Sequence, residues 1–469
     1  MPVREPGCGD DTPAASRARP RQLFYWFLAS QSLLIGLLPF YVPVLVFDLG
    51  HGMRELCLLI AATGTGFLLA LGPWQRQAQG ASLGRLLTSS FLWQLAAVSL
   101  PALLAWRPGI TGVPGSPTGD ASAPSLTALG LILMLGLTIG VANAFFWSTQ
   151  RTLFLQRLGE NNAGRHYGNL QIVVGAFLKA GILIGGWALA TTAGPLLLMV
   201  LAGITTIVTL KVLASIQDID EPLLAPAPFP VSPETSPDIS PDISPETSAD
   251  TSLRALPGIS HHPLPPASSR SLTTSPTSPH LGFATALRWH DNNRSREIFL
   301  LDGLFLFLES HFWTLAIYTL LGESFERLGA ASVLLSVSFS ILFWLLRSHI
   351  DRLPANRIYL FATVLYILSW LLRWWLVGTE ANWVSALGLV AVTFCSLYFR
   401  LAFNKRFFDH ARRSGGVSYL LAKSYQSQLA LALGFALAAF PLGLVSRDVG
   451  LSTLWLFAAA AAPLYMRYR

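Results

Sequence analysis

Apolar stretches of eighteen residues or more follow one another along most of the chain, each closed by a short polar, glycine- or proline-bearing segment. A helix needs about 20 such residues to cross a hydrocarbon core of roughly 30 Å. The pattern predicts membrane-spanning helices over 23–47, 55–74, 86–105, 126–149, 167–191 and 194–215, then over 297–321, 328–347, 357–377, 382–402, 417–440 and 450–466. The last is an alanine run carrying Pro463, which suits a short or tilted helix. The expected architecture is an all-α integral membrane protein of 12 transmembrane helices in two six-helix halves. Its domain plan is a tail over 1–22, a six-helix bundle over 23–216, a linker over 217–296 and a second bundle over 297–469.

Polarity changes sharply in the interruption. Ser-Pro-Glu-Thr, Ser-Pro-Asp-Ile, Ser-Pro-Asp-Ile and Ser-Pro-Glu-Thr stand in tandem over 232–247, and prolines continue to Pro279. Such a segment buries too little apolar surface to offset its ordering entropy, so 217–296 reads as a disordered tether between the halves. The tail holds Arg4, Arg17, Arg19 and Arg21 ahead of the first apolar run, and no A-x-A-like cleavage site follows that run. The first run therefore reads as a retained helix rather than a signal peptide.

Composition agrees with this picture. Hydrophobic residues make up 52% and charged residues 12%, with a mean hydropathy of +0.50, against roughly 25% charged in a soluble domain. The net charge of +7 is unevenly placed. With the N-terminus inside, Arg76, Arg85, Arg151, Arg157, Arg165, Arg347, Arg352, Arg357, Arg400, Lys405, Arg406, Arg412, Arg413, Arg467 and Arg469 join the tail arginines on the cytoplasmic side. The opposite side has Arg54, Arg107, Arg327 and Arg447. This bias predicts cytoplasmic termini and a cytoplasmic linker. It accounts for the charge without nucleic acid, because these cations flank apolar helices. The expected location is a bacterial inner (plasma) membrane, multi-pass. Cys8, Cys57 and Cys395 have no metal-ligand or redox spacing, and no H-E-x-x-H or G-x-S-x-G motif occurs. No metal, cofactor or enzyme chemistry is expected.

Glycines four apart let helices approach closely in lipid. Gly136 with Gly140, and Gly181 with Gly185, have that spacing. Charged residues inside spans cost at least a few kcal/mol and mark a function or a pair. Lys179, Asp302, Glu309 and Lys423 stand out, two cations against two acids. Asp302 and Glu309 are seven apart on one helix face, about 10 Å along its axis, and His311, Trp313 and Tyr318 continue that segment. Asn143 and Trp147 share a face with Arg151, where Trp147 either stacks on a solute or anchors at the interface. Gln31 and Gln426 either line a cavity or join helices by hydrogen bonds.

Two six-helix halves around a central site are a plan of secondary transporters, and local motifs point the same way. Residues 348–357 place Asp351, Arg352 and Arg357 as in the loop signature G-x-L-a-D-R-x-G-R-R, with Ser348 and Ala355 at its glycine positions. Gly164 and Arg165, with His166, Tyr167 and Gly168, are similar to an R-G-R-x-x-G stretch. Gly181, Gly185 and Gly186 resemble a G-P-x-x-G-G element in which Ile182 replaces the proline. In these features the chain resembles the major facilitator superfamily over nearly its whole length apart from tail and linker. The first-half counterpart loop keeps Gly84 and Arg85 and lacks the aspartate.

The resemblance implies a monomeric carrier, surrounded by membrane lipids, that moves a small-molecule substrate by alternating access, with protons as a coupling ion. Asp351 and Arg352 would sit at the cytoplasmic gate. The seventh and eleventh helices would be neighbours, pairing Asp302 with Lys423, whether for structure or for transport. Glu309, lacking such a partner, would then be the proton carrier or a satisfied structural carboxylate. Lys179 would either bind an anionic substrate group or neutralise Glu309. The rival reading is a non-transporting sensor or assembly factor that keeps a transporter-like shell.

Overall fold

The computed structural model describes residues 14–106, 126–157, 163–191, 193–214, 223–224, 281–350 and 355–468, and every regular element among them is helical. In chain order these are α1 (Ala14–Leu37), α2 (Val42–Asp48), α3 (Met53–Gly80), α4 (Leu83–Trp106), α5 (Leu126–Arg157), α6 (Ala163–Leu189) and α7 (Gly194–Ala214). After residue 281 come α8 (Phe283–Arg288), α9 (Ser295–Phe307), α10 (Trp313–Leu320), α11 (Phe325–Ile350), α12 (Ala355–Leu376), α13 (Trp383–Arg413), α14 (Val417–Leu442) and α15 (Arg447–Ala461). Pro39 and Pro43 each begin a new helical stretch, which splits the first span into α1, a 3₁₀ turn over Pro39–Tyr41, and α2. A proline lacks the amide that would continue the preceding helix. A π-helical turn over Leu308–Phe312 joins α9 to α10.

Nine segments among the described residues are long and apolar enough to cross a membrane, from the α1–α2 pair to the stretch Arg447–Arg467. Helices α4, α6 and α11 occupy the expected spans at 86–105, 167–191 and 328–347. Apolar side chains cover the outside: Leu196, Val200, Ile204 and Ile207 of α7, Leu437 and Phe440 of α14, and Trp383 of α13 are all exposed. On a soluble protein so wide an apolar surface would aggregate; here it faces lipid tails.

Helix crossings are set by glycine. A Cβ at Gly181 or Gly185 of α6 would run into the backbone oxygens of Leu33 and Leu37 of α1. Gly136 and Gly140 bring α5 equally close to α3, at Leu59 and Thr63. Gly64 of α3 lies against the backbone of Gln428 and Ala432 of α14, and Gly186 of α6 meets Phe325 and Gly329 of α11. The elements before residue 215 are therefore joined to those after 281 along two lines, α3 with α14 and α6 with α11.

Both ends of the bundle carry contacts across that division. At the end of the turns at Gly50 and Gly322, the Tyr41 ring, held within the first set by its hydroxyl's 2.6 Å bond to the Ile182 carbonyl, packs across against Phe325, and Tyr318 donates to Asp48 Oδ1 at 3.2 Å. At the other end, Gln75 Nε2 donates to the Tyr425 hydroxyl at 2.9 Å, and the rings of Phe154 and Phe408 stand 4.7 Å apart.

The expected linker, 217–296, includes residues that the structure describes. Residues 281–296 are placed against the bundle: Gln75 Oε1 accepts the amide of Leu281 at 3.0 Å, and Gln426 Nε2 donates to the carbonyls of Ala286 and Trp289 at 2.8 and 3.3 Å. Leu224 also donates its amide to Ala78 at 2.7 Å. Two amide side chains buried in helices, beyond the reach of a composition argument, hold this segment. The Ser-Pro repeats and the tail over 1–13 lie outside the described residues.

Candidate functional site

The densest polar chemistry lies inside the second set of helices and centres on Arg400. Helix α13 is capped by Asn382, whose side chain accepts the Ser385 amide at 2.9 Å, and it runs unbroken to Arg413. This length places Arg400 mid-helix. With the span ending at 402, Arg400 counted among the cytoplasmic cations at its end; the structure instead puts it within the bundle, because Leu401 to Arg413 continue the same helix. Its guanidinium joins two carboxylates: Nε donates to Glu309 Oε2 at 2.6 Å, and Nη1 donates to Asp302 Oδ1. Nη2 reaches the Tyr366 hydroxyl at 3.4 Å. A planar guanidinium with several donors is suited to bridging acids in this way.

Lys423 of α14 holds the other oxygen of Asp302 at 3.0 Å, and its ammonium lies 4.3 Å from the Phe407 ring centre and 5.0 Å from that of Phe403. Tyr465, returned to the core by the 3₁₀ turn Ala462–Arg467, donates to Asp302 Oδ1 at 3.1 Å. On the far side of Glu309, Arg373 of α12 lies 3.9 Å from Oε1. Arg373 is almost wholly buried, stacks on Trp370 at 4.1 Å, and donates to Ser396 Oγ at 2.8 Å and Ser369 Oγ at 3.3 Å. Glu309 Oε1 and Arg373 Nε are buried without a hydrogen bond. Glu309 thus gives one oxygen to Arg400 and leaves the other without a hydrogen bond, 3.9 Å from Arg373, inside the one π turn among the described residues. Such turns concentrate at functional sites.

These contacts change several expectations. Glu309 is not an unpartnered carboxylate, since Arg400 and Arg373 flank it. Lys179 does not neutralise it: among the described residues Lys179 makes no ion pair, and it lies half-buried on α6. Gln426 is fully buried and anchors the segment around α8. Gln31 is also buried and donates to Ser90 at 3.2 Å, joining α1 to α4. His311 stands apart from the ionic network, with Nδ1 2.9 Å from Ser310 Oγ and its ring stacked on Phe307. Asn143 and Trp147 are half-buried on α5, with the Arg151 guanidinium 5.8 Å from the Trp147 ring. Gly181, Gly185 and Gly186 are contact glycines. Arg357 is exposed near the start of α12; Asp351 and Arg352 lie outside the described residues, as do the side chains around Gly164 and Arg165.

Arg373, Arg400, Tyr366 and Tyr465 are the members the sequence reading passed over. The signal was present for Arg373, which sits between Leu372 and Trp374 within a predicted span and meets the same criterion that singled out the lysines.

No known family model matches the sequence, and no curated protein matches it. Solved structures do. A crystal structure of a point mutant of the nucleoside transporter NupG superposes with a TM-score of 0.58 at 11% identity, covering 95% of this chain and 98% of that one. A second crystal structure of NupG gives a TM-score of 0.54 at 11% identity, covering 95% and 97%. The chain has the fold of a membrane transporter. At that identity the likeness concerns fold alone.

Proposed function

We propose that the chain is a secondary-active transporter of the major facilitator type, with twelve spans in two six-helix halves, cytoplasmic termini and linker, and a small solute moved by alternating access. One observation carries this reading: a transporter fold encloses three cations and two carboxylates deep in an apolar bundle. Burying so many charges costs several kcal/mol per ion before pairing, and a network that leaves a carboxylate oxygen without a hydrogen bond is a poor way to gain stability alone.

Proton coupling takes a specific form in this arrangement. Glu309 is faced by Arg400 from α13 and by Arg373 and Tyr366 from α12, with Asp302 about two helical turns before it; Lys423 of α14 and Tyr465 act on Asp302. Glu309 is the assigned proton carrier, exchanging its bond to Arg400 for a proton during the cycle with Arg373 still beside it, while Asp302 keeps Lys423 as its partner.

The test is proton flux in liposomes containing the purified protein. Glu309→Gln is expected to keep solute counterflow and to lose proton-driven accumulation. Normal proton-coupled accumulation by this variant removes Glu309 from the coupling path. Absence of counterflow for every solute in the wild type removes the carrier reading.

A further inference from the structure

The end of the bundle that carries Phe154 and Phe408 is basic at its surface. Around the second set of helices Arg294, Arg296, Lys405, Arg412 and Arg413 are exposed there. At the opposite end of the same helices the exposed acids Glu323, Glu326, Glu380 and Asp448 outnumber Arg327 and Arg447.

One cation of the basic end is built into a cleft. Arg406 is half-buried on α13, its guanidinium 4.7 Å from the Tyr359 ring centre on α12 and 5.8 Å from that of Tyr468, which follows the 3₁₀ turn Ala462–Arg467. The Tyr359 hydroxyl donates to the Tyr465 carbonyl at 3.0 Å, so α12, α13 and the turn meet around this one side chain. Among the described residues no carboxylate pairs with Arg406. Aromatic faces attract a guanidinium without accepting its in-plane donors. Its fork is left for an anion.

The surroundings tell which anion fits. Arg357, Phe361, Val364 and Leu368 share one face of α12, by their spacing of four, seven and eleven, and all are exposed. A cation thus heads an apolar stripe of the surface that faces lipid tails. On the turn, exposed Leu464 and Met466 lead to exposed Arg467, whose 3.9 Å pair with exposed Glu297 is loose enough to yield to a phosphate. Cations at the head of two lipid-facing strips match a molecule with an anionic head and apolar chains. A free phosphate would use the cations and leave the strips without a role.

We propose that an anionic phospholipid binds here, its phosphate on the Arg406 fork between Arg357 and Arg467, and its chains along α12 and the turn. Arginine suits a phosphate because its donors engage two oxygens at once, and anionic headgroups gather at cations beside spans. The same turn carries Tyr465 to Asp302 at 3.1 Å. Lipid occupancy therefore steadies one hydrogen bond of the charged network from outside the bundle.

The experiment uses the full-length chain, purified in a non-ionic detergent and stripped of bound lipid. Thermal unfolding is followed while phosphatidylglycerol, phosphatidylcholine or inorganic phosphate is added at constant ionic strength. A ligand of the folded state raises the midpoint saturably. Phosphatidylglycerol is expected to do so and the other two are not. Half-saturation should weaken roughly tenfold in Arg406→Gln, the loss of one charge-assisted contact. Lys405→Gln removes the exposed charge next to it on α13 and should weaken it no more than roughly twofold. Amide exchange over 462–468 should slow with phosphatidylglycerol in the wild type and not in Arg406→Gln. Equal shifts with both lipids overturn the proposal, as does a phosphate shift matching that of phosphatidylglycerol. Equal losses in Lys405→Gln and Arg406→Gln overturn it too, since the effect is then one of diffuse surface charge. If Arg406→Gln yields no folded protein, the exposed pair Arg357→Gln with Arg467→Gln decides. A roughly tenfold weakening in that double variant supports the site, and an unchanged half-saturation removes it.

Discussion

Each carboxylate of the network is held differently, and the difference is measurable. Asp302 has both oxygens engaged, one by Arg400 and Tyr465 and the other by Lys423. Replacing Asp302 by Asn leaves Lys423 buried between aromatic rings with no carboxylate, a loss of about 3–5 kcal/mol. Replacing Lys423 by Met leaves Asp302 still paired with Arg400 and adds apolar packing against Phe403 and Phe407, so its cost should be less than half as great. Reversible unfolding in detergent micelles checks the order; equal losses would mean that Arg400 does not hold Asp302. The two acids and two lysines were legible in the sequence because charged letters stand out in apolar runs. Arg400 was not, because a helix end set eleven residues too early made it one of the cytoplasmic cations at the end of its span. Its partner Glu309 consequently looked free, and the interior charge looked balanced when it is positive.

Among the elements, crossings rather than spans decide what the fold tolerates. Gly185 of α6 has the backbone of Leu37 and the ring of Tyr41 where a Cβ would go, whereas nothing stands near Gly203 of α7. Gly185→Val is expected to cost more than about 3 kcal/mol, because backbone cannot move aside as a side chain can. Gly203→Ala should be neutral or stabilise by up to about 1 kcal/mol, since alanine favours helix. Folded yield and unfolding midpoint for the pair check this, and equal behaviour would show that α6 does not need its close approach to α1. The helices themselves were readable from apolar run length, and the Gly181–Gly185 spacing marked a contact. What the spacing left out was the partner: Leu33 and Leu37 lie almost 150 positions away, and no local pattern names them. The π turn at Glu309 and the docking of residues 281–289 were likewise invisible, since both depend on tertiary partners such as Gln75 and Gln426.

At the scale of the molecule, contacts across the two sets of helices exist at both ends: Tyr41 with Phe325 and Tyr318 with Asp48 at one, and Phe154 with Phe408 and Gln75 with Tyr425 at the other. A carrier must open one end at a time, so each set of contacts has to part once per cycle while the other holds. Both are modest, a few aromatic edges and hydrogen bonds worth about 0.5–1.5 kcal/mol each, which suits reversible closure better than a permanent seal. Phe154→Cys with Phe408→Cys, in a background where Cys8, Cys57 and Cys395 are replaced, places two thiols on α5 and α13 where the rings now meet. A short bifunctional thiol reagent should bridge them, and counterflow should then fall at least about tenfold, a barrier change of about 1.4 kcal/mol or more. Reagents cleavable by reduction should restore it, because the block is a tether and not damage. Ligand-induced stabilisation should survive the bridge, since binding needs only one side accessible. Full counterflow with the bridge verified by mass spectrometry would mean that α5 and α13 never separate there, and the moving division would have to be sought along the α6 and α11 crossing instead.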